Sequence, residues 1–163
     1  MVTSASHGLD VNDSVRIAEA SITMDAGKDG IHAENTDDGL DSNGTLTISD
    51  GYIYVANPNA GDTSIIDADV SPVITGGTFF STGSMTKMAQ TFASSSTQGV
   101  ITCTTGTQSP GSVVTVKDSN GNSVISYEVE YSCAMVIISS PDIVKGDAYT
   151  LTIGSTSGNV QAV

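Results

Sequence analysis

Asp38-Gly39-Leu40-Asp41-Ser42-Asn43-Gly44-Thr45-Leu46-Thr47-Ile48-Ser49-Asp50-Gly51-Tyr52-Ile53-Tyr54-Val55 holds three short apolar pulses separated by Gly, Asn and Asp. From Leu40, apolar residues fall at +6 (Leu46), +8 (Ile48), +13 (Ile53) and +15 (Val55). The same offsets from Leu9 reach Val15, Ile17, Ile22 and Met24, and from Ile66 they reach Pro72, Ile74, Phe79 and Ser81, a weaker copy. A unit of about 22 residues recurs. Self-similarity at such a period is the pattern of stacked coils. The expected fold is all-β: a short right-handed parallel β-helix (solenoid) followed by a small antiparallel β cap unit. Residues 1–83 are read as coils, 84–98 as a connector and 99–163 as the C-terminal antiparallel unit.

The first coil runs from His7 to Lys28, with period-2 alternation at Val15-Arg16-Ile17 and Ile22-Thr23-Met24. A second start, Asp29-Gly30-Ile31-His32-Ala33-Glu34-Asn35, is cut short, because the unit restarts at Gly39, nine residues after Gly30. Either a partial rung makes a tight excursion here, or residues have been removed near Thr36-Asp37. Asn57-Pro58-Asn59-Ala60-Gly61 reads as an outward loop. From Gly83 the repeat is lost. Strands are expected at 99–104, 112–118, 123–130, 134–139 and 148–153, with a hairpin turn at Asp118-Ser119-Asn120-Gly121-Asn122.

The 163 residues fit one domain, or one plus a small appendage. The formal net charge of −13 comes from 18 acidic against 5 basic side chains. That argues against nucleic acid and against an anionic membrane surface, and suits a cation binder or a very soluble extracellular surface. No run approaches the roughly 20 apolar residues of a membrane span. The N-terminus lacks a basic-then-apolar signal pattern, so Met1 reads as the start of a trimmed fragment. Cys103 and Cys133 are either buried thiols or a bridge between neighbouring strands, the latter needing α-carbons within about 7 Å.

The outward positions of the first strand of each unit carry the chemistry. Asp10, His32, Asp41 and Asp67 follow the buried apolar residue, and Asn12, Glu34, Asn43 and Asp69 come two residues later. Residues i and i+2 share a strand face, and strands stack about 4.8 Å apart, so two columns of oxygen ligands are expected. Asp29 and Asp38 add carboxylates at the corner, and Asn35 adds an amide oxygen. Carboxylates about 5 Å apart repel by about 3 kcal/mol per pair at an effective dielectric of about 20. Hard oxygens at flexible positions favour calcium, which takes 6–8 of them. The alternative is a set of solvated acidic turn residues that protect strand edges.

Catalysis finds less support. His7 and His32 recur at similar positions, but no nucleophile elbow, H-E-x-x-H motif or phosphate-binding loop occurs. Tyr52 and Tyr54 alternate with Ile53 and Val55 on the outer face of a third strand. They either stack on sugar rings or pack on each other or under a loop.

Four stretches resemble a family of bacterial extracellular calcium-binding parallel β-helix proteins, carbohydrate-binding domain-containing and of the polygalacturonate-binding type. They are the paired starts at 29–35 and 38–46; Ile65-Ile66-Asp67 with Ile74-Thr75-Gly76-Gly77-Thr78-Phe79; Met88-Ala89-Gln90 with Ser94-Ser95-Ser96-Thr97-Gln98; and Val114-Thr115-Val116-Lys117-Asp118 through Ile138-Ser139-Ser140-Pro141 and Tyr149-Thr150-Leu151. The resemblance implies several bound Ca2+ ions and non-catalytic binding of acidic plant polysaccharide such as polygalacturonate, possible cellulose binding included, by a secreted or cell-surface protein. Calcium would bridge protein and uronate carboxylates. The rival expectation is a structural protomer that stacks through its N-terminal edge into a calcium-stabilised fibre or adhesin. A polysaccharide lyase is a distant third, since Arg16 is the only arginine.

Overall fold

The computed structural model describes the backbone at 2–5, 9–10, 15–17, 21–26 and 31–32, and residues 39–163 apart from 59–60, 62 and 86–87. Side chains are described from residue 39 on, that of Asn43 excepted. Numbered in chain order, the strands are Val2–Ala5 (β1), Leu9–Asp10 (β2), Val15–Ile17 (β3), Ser21–Ala26 (β4), Ile31–His32 (β5), Leu40–Ile48 (β6), Tyr52–Asn57 (β7) and Ile66–Ile74 (β8). Thr78–Gly83 (β9), Val100–Gln108 (β10), Val113–Lys117 (β11), Ser123–Glu128 (β12), Cys133–Ser139 (β13), Ala148–Ile153 (β14) and Thr156–Gln161 (β15) complete the set.

The strands form three sheets. A six-stranded sheet has the order β1-β4-β7-β9-β13-β10, and a four-stranded sheet the order β12-β11-β14-β15. The third contains β2, β5, β6 and β3, with β8 paired to β6. One apolar core joins Ile53, Val55, Phe79 and Ile137 of the six-stranded sheet to Leu40, Leu46, Ile48, Ile66 and Ile74 of the third. A second core joins Tyr54, Phe80, Val136 and Ile138 to Val114, Val116, Leu151 and Ile153 of the four-stranded sheet. The six-stranded sheet is therefore the middle layer. A strand covered on both faces has no polar face to show. This is why Ile53-Tyr54-Val55, Phe79-Phe80 and Val136-Ile137-Ile138 read as unbroken apolar runs. The four-stranded sheet is covered on one face and alternates: Val114 and Val116 are buried, while Thr115 is half-buried and Lys117 exposed.

The expected short right-handed parallel β-helix with a separate antiparallel cap is not the architecture of the described residues. The finding that overturns it is the mixed middle sheet. β13 pairs antiparallel with β9, from Met135↔Gly83 to Ser139↔Phe79, and β10 pairs antiparallel with β13. The later strands thus continue a sheet that also holds the parallel pairs β4–β7 and β7–β9. β6 and β8 each also run nine residues as one strand, with register shifts along their pairing, where two strands joined by a corner were expected. The physical reason is that periodicity records which face of a strand is apolar. It carries no information on whether the next strand arrives parallel or antiparallel, because both orientations bury the same side chains.

The residues at matching offsets are neighbours in register. Leu9 pairs with Ile31, Ile31 with Leu40, and Leu40 with Ile66. Val15 pairs with Leu46, and Ile22 with Ile53, which pairs with Phe79. At the turn into β9, Gly77 has φ 81°, and a Cβ there would lie 2.7 Å from the Asp50 carbonyl carbon and 2.8 Å from the Gly51 oxygen. Only glycine fits both the left-handed backbone and the space.

The segment from Met88 to Gln98 lies along β8. Ala93 N–H donates to the Pro72 carbonyl at 2.7 Å, and Ser96 Oγ accepts from Ile74 N–H at 3.1 Å. Phe92 is buried edge-on against Phe79, with centroids 5.0 Å apart and planes at 88°. The strap thus occupies backbone groups that a foreign strand would otherwise pair with.

Candidate functional site

Strand register places part of the first acidic column. Asp10 is paired with His32 at the backbone, and Asp41 with Asp67. Asp41 and Asp67 therefore project side by side from adjacent strands, since in-register neighbours share a face. Asp41 is 6% exposed. Asp67 is half-buried, and its Oδ1 accepts a 2.8 Å hydrogen bond from Gln90 Nε2. Gln90 is held in turn: its Oε1 accepts from Ala68 N–H at 3.2 Å and its backbone N–H donates to Ser64 Oγ at 3.4 Å. The strap thus orients one carboxylate of the pair.

The second column is interrupted. Ser42 pairs with Ala68 and Thr45 with Val70, so Asn43 and Gly44 together stand opposite Asp69. Two residues against one is a β-bulge, which re-aims side chains. Asp69 is exposed. Asn12, Asp29, Glu34, Asn35 and Asp38 lie outside the described residues, as do His7 and the side chains of Asp10 and His32. Among the described residues, no group of three or more His, Cys, Asp or Glu side chains is placed to hold a metal ion.

Tyr52 and Tyr54 part company. Tyr52 is 37% exposed. Tyr54 is 4% exposed, because β12 of the four-stranded sheet covers the face it projects from. Its ring stacks on Tyr127 at 4.5 Å and on Phe80 at 5.9 Å, and Phe80 stacks on Tyr127 at 4.6 Å. The Tyr54 hydroxyl is buried and makes no hydrogen bond of good geometry. Burial drives this phenol far above its ordinary range; the nearby Thr82 side chain offsets part of the effect and the Glu130 carboxylate adds to it. Tyr54 is a core residue with no face free for a sugar ring.

Clefts open where the layers meet. One of about 410 Å3 lies between Thr75, Thr97, Gln98, Ile143 and Lys145. There Lys145 Nζ donates to the carbonyls of Ser94 and Ser96, pinning the strap to the loop before β14. Another, of about 210 Å3, is bordered by β10 and β15. Sequence reasoning missed β15 altogether: Thr156-Ser157-Gly158-Asn159-Val160-Gln161 shows no apolar alternation, because five of its six residues are exposed. The paired glycines Gly154 and Gly158 were the available signal. Cys103 and Cys133 are free thiols, half-buried and buried.

Three layered sheets define an all-β domain with clefts at its sheet edges. The chain belongs to the family of carbohydrate-binding domain-containing proteins, whose model matches residues 1–142. No curated protein and no solved structure matches the chain.

Proposed function

We propose that this carbohydrate-binding domain takes an acidic polysaccharide of the polygalacturonate type, outside the cell or on its surface, and binds it without catalysis. The observation that carries the reading is the in-register pair Asp41 and Asp67. Two carboxylates at strand spacing repel by about 3 kcal/mol at an effective dielectric of about 20, and a divalent cation reverses that cost. Their hard oxygens suit calcium, but two side chains do not fill a shell of 6–8 oxygens. The described residues therefore fit the ion only in part. Asp10, Asn12, Asp29, Glu34, Asn35 and Asp38 are the candidates to complete the set. Calcium, when bound, supplies the positive charge that lets a chain of net charge −13 hold a polyuronate. Gln90 keeps Asp67 oriented through its 2.8 Å hydrogen bond.

The test is retention on immobilised polygalacturonate, with calcium and with chelator, for the wild type and for Asp41→Asn with Asp67→Asn. Retention that disappears with chelator and weakens at least about tenfold in the double variant supports the reading; tenfold is about 1.4 kcal/mol. Retention indifferent to chelator, or no retention at all, sinks it.

A further inference from the structure

β10 and β15 are each the last strand of a different sheet. They meet at one end, where Val100 and Val163 exchange backbone hydrogen bonds, both 3.0 Å. Away from that junction they diverge, and Cys103, Thr104 and Thr105 face Thr156 to Val160 across a cleft of about 210 Å3.

The cleft exists for a definable reason. Thr156, Gly158 and Val160 pair across the ladder with Ile153, Leu151 and Tyr149, whose side chains are buried. Cross-strand partners share a face, so these β15 residues point to the core side of their sheet. Yet Thr156 and Gly158 are exposed. The six-stranded sheet ends at β10, and β15 overhangs it. Gly158 deepens the gap, because an added Cβ there would meet no atom within 4 Å.

The lining is chemically specific. Leu151 and Ile153 form an apolar floor. Thr105 and Thr156 supply hydroxyl groups around it, while Thr104, Ser157 and Asn159 border it through their backbone, their side chains lying on the opposite strand faces. In a chain with 18 acidic residues, none of those lining this cleft is charged. A cation or a uronate carboxylate would find no counter-charge here. Sugar hydroxyls both donate and accept, as the threonine hydroxyls here do. The C–H face of a pyranose ring is apolar and matches the floor. The volume is below the roughly 300–1,000 Å3 of pockets for drug-sized ligands, so it admits about one sugar ring of a chain.

We propose that the cleft between β10 and β15 is a subsite for a neutral hexose unit of a glycan, separate from the acidic pair on β6 and β8. It rests on the family's carbohydrate binding but not on calcium. The occupant is a sugar ring; a peptide strand added to the edge of β10 or β15 is the alternative that the experiment separates.

Cys103 lines the cleft and serves as its reporter, while Cys133 is buried. The experiment follows alkylation of Cys103 by mass spectrometry in the full chain with chelator present. The probes are gluco-, manno- and galacto-hexaose and, separately, a neutral Thr/Val-rich hexapeptide. With a hexaose at about ten times its Kd, labelling should slow about elevenfold, since only the free fraction reacts. The variant Gly158→Leu puts an apolar side chain into the cleft, its Cβ meeting no atom within 4 Å. It should lose that protection while its melting temperature stays level or rises. The proposal is overturned if no hexaose slows labelling at millimolar concentration, if the peptide protects and the sugars do not, or if folded Gly158→Leu is protected like the wild type. Polygalacturonate retention, measured in parallel with calcium, reports separately on the acidic pair.

Discussion

Replacing Tyr54 by Phe should stabilise the protein, although the residue is in the core. The hydroxyl is buried and makes no hydrogen bond of good geometry, although the Thr82 side chain and the Glu130 backbone lie near it. An unsatisfied buried donor costs about 1–3 kcal/mol. Phe keeps the ring and its stacks on Tyr127 and Phe80, at 4.5 and 5.9 Å. The expected gain is therefore about 1–3 kcal/mol, or about 2–10 °C in melting temperature for a chain of this size. Urea unfolding at pH 7 and thermal melts measure it. A second readout comes from alkali. The folded phenol is held above its ordinary value of 10.0, chiefly by burial. Between that value and its folded value, the unfolded chain loses the proton and the folded chain keeps it. The contribution to stability is thus intact below pH 10 and is lost as pH rises beyond it. Tyr54→Phe should flatten the alkaline fall in stability, leaving the part due to Tyr127 and Tyr52, whose phenols are also raised by burial. A variant less stable than wild type at pH 7 by about 0.5 kcal/mol or more would refute the reasoning, because it would mean that the hydroxyl makes a net favourable hydrogen bond.

Gln98 holds two elements together: its Nε2 donates to the Gly77 carbonyl at 2.8 Å and to Ser139 Oγ at 2.7 Å, all buried. Gln98→Ala should cost about 1–3 kcal/mol in urea unfolding, because the Gly77 carbonyl then loses its donor. Gly77→Ala and Gly121→Ala form a pair, with φ of 81° and 85°. Both should cost the roughly 1 kcal/mol or more of a left-handed alanine. Gly77→Ala should cost clearly more, because its Cβ meets backbone while that of Gly121 meets nothing; equal losses would count against the close approach at Asp50. Cys103 and Cys133 are free, so reductant should leave the melting temperature unchanged. A thiol reagent should modify Cys103 first and Cys133 only on unfolding, with burial raising both thiols and slowing each.

The local sequence determined what each strand would bury. Leu40, Leu46 and Ile48, and Ile53 and Val55, are all core residues, and residues at matching offsets pair in register. The turn at Asp118 was equally legible: Asp118 Oδ1 accepts from the N–H groups of Asn120 and Asn122, and Gly121 takes the positive φ. The side-by-side placement of Asp41 and Asp67 followed from the same spacing. Only the tertiary structure decided what lies over the other faces. Ser139 sits beside Phe79 because β13 inserts antiparallel into the middle sheet. Tyr54 is in the core because Tyr127, far along the chain, stacks on it. The bulge at Asn43 and Gly44 divides the second acidic column, and the overhang of β15 opens a cleft that no apolar pattern announces. Periodicity is a local property: it records that a face must leave water. The partner that covers that face is chosen by chain reversals and layer packing, which depend on residues distant in sequence.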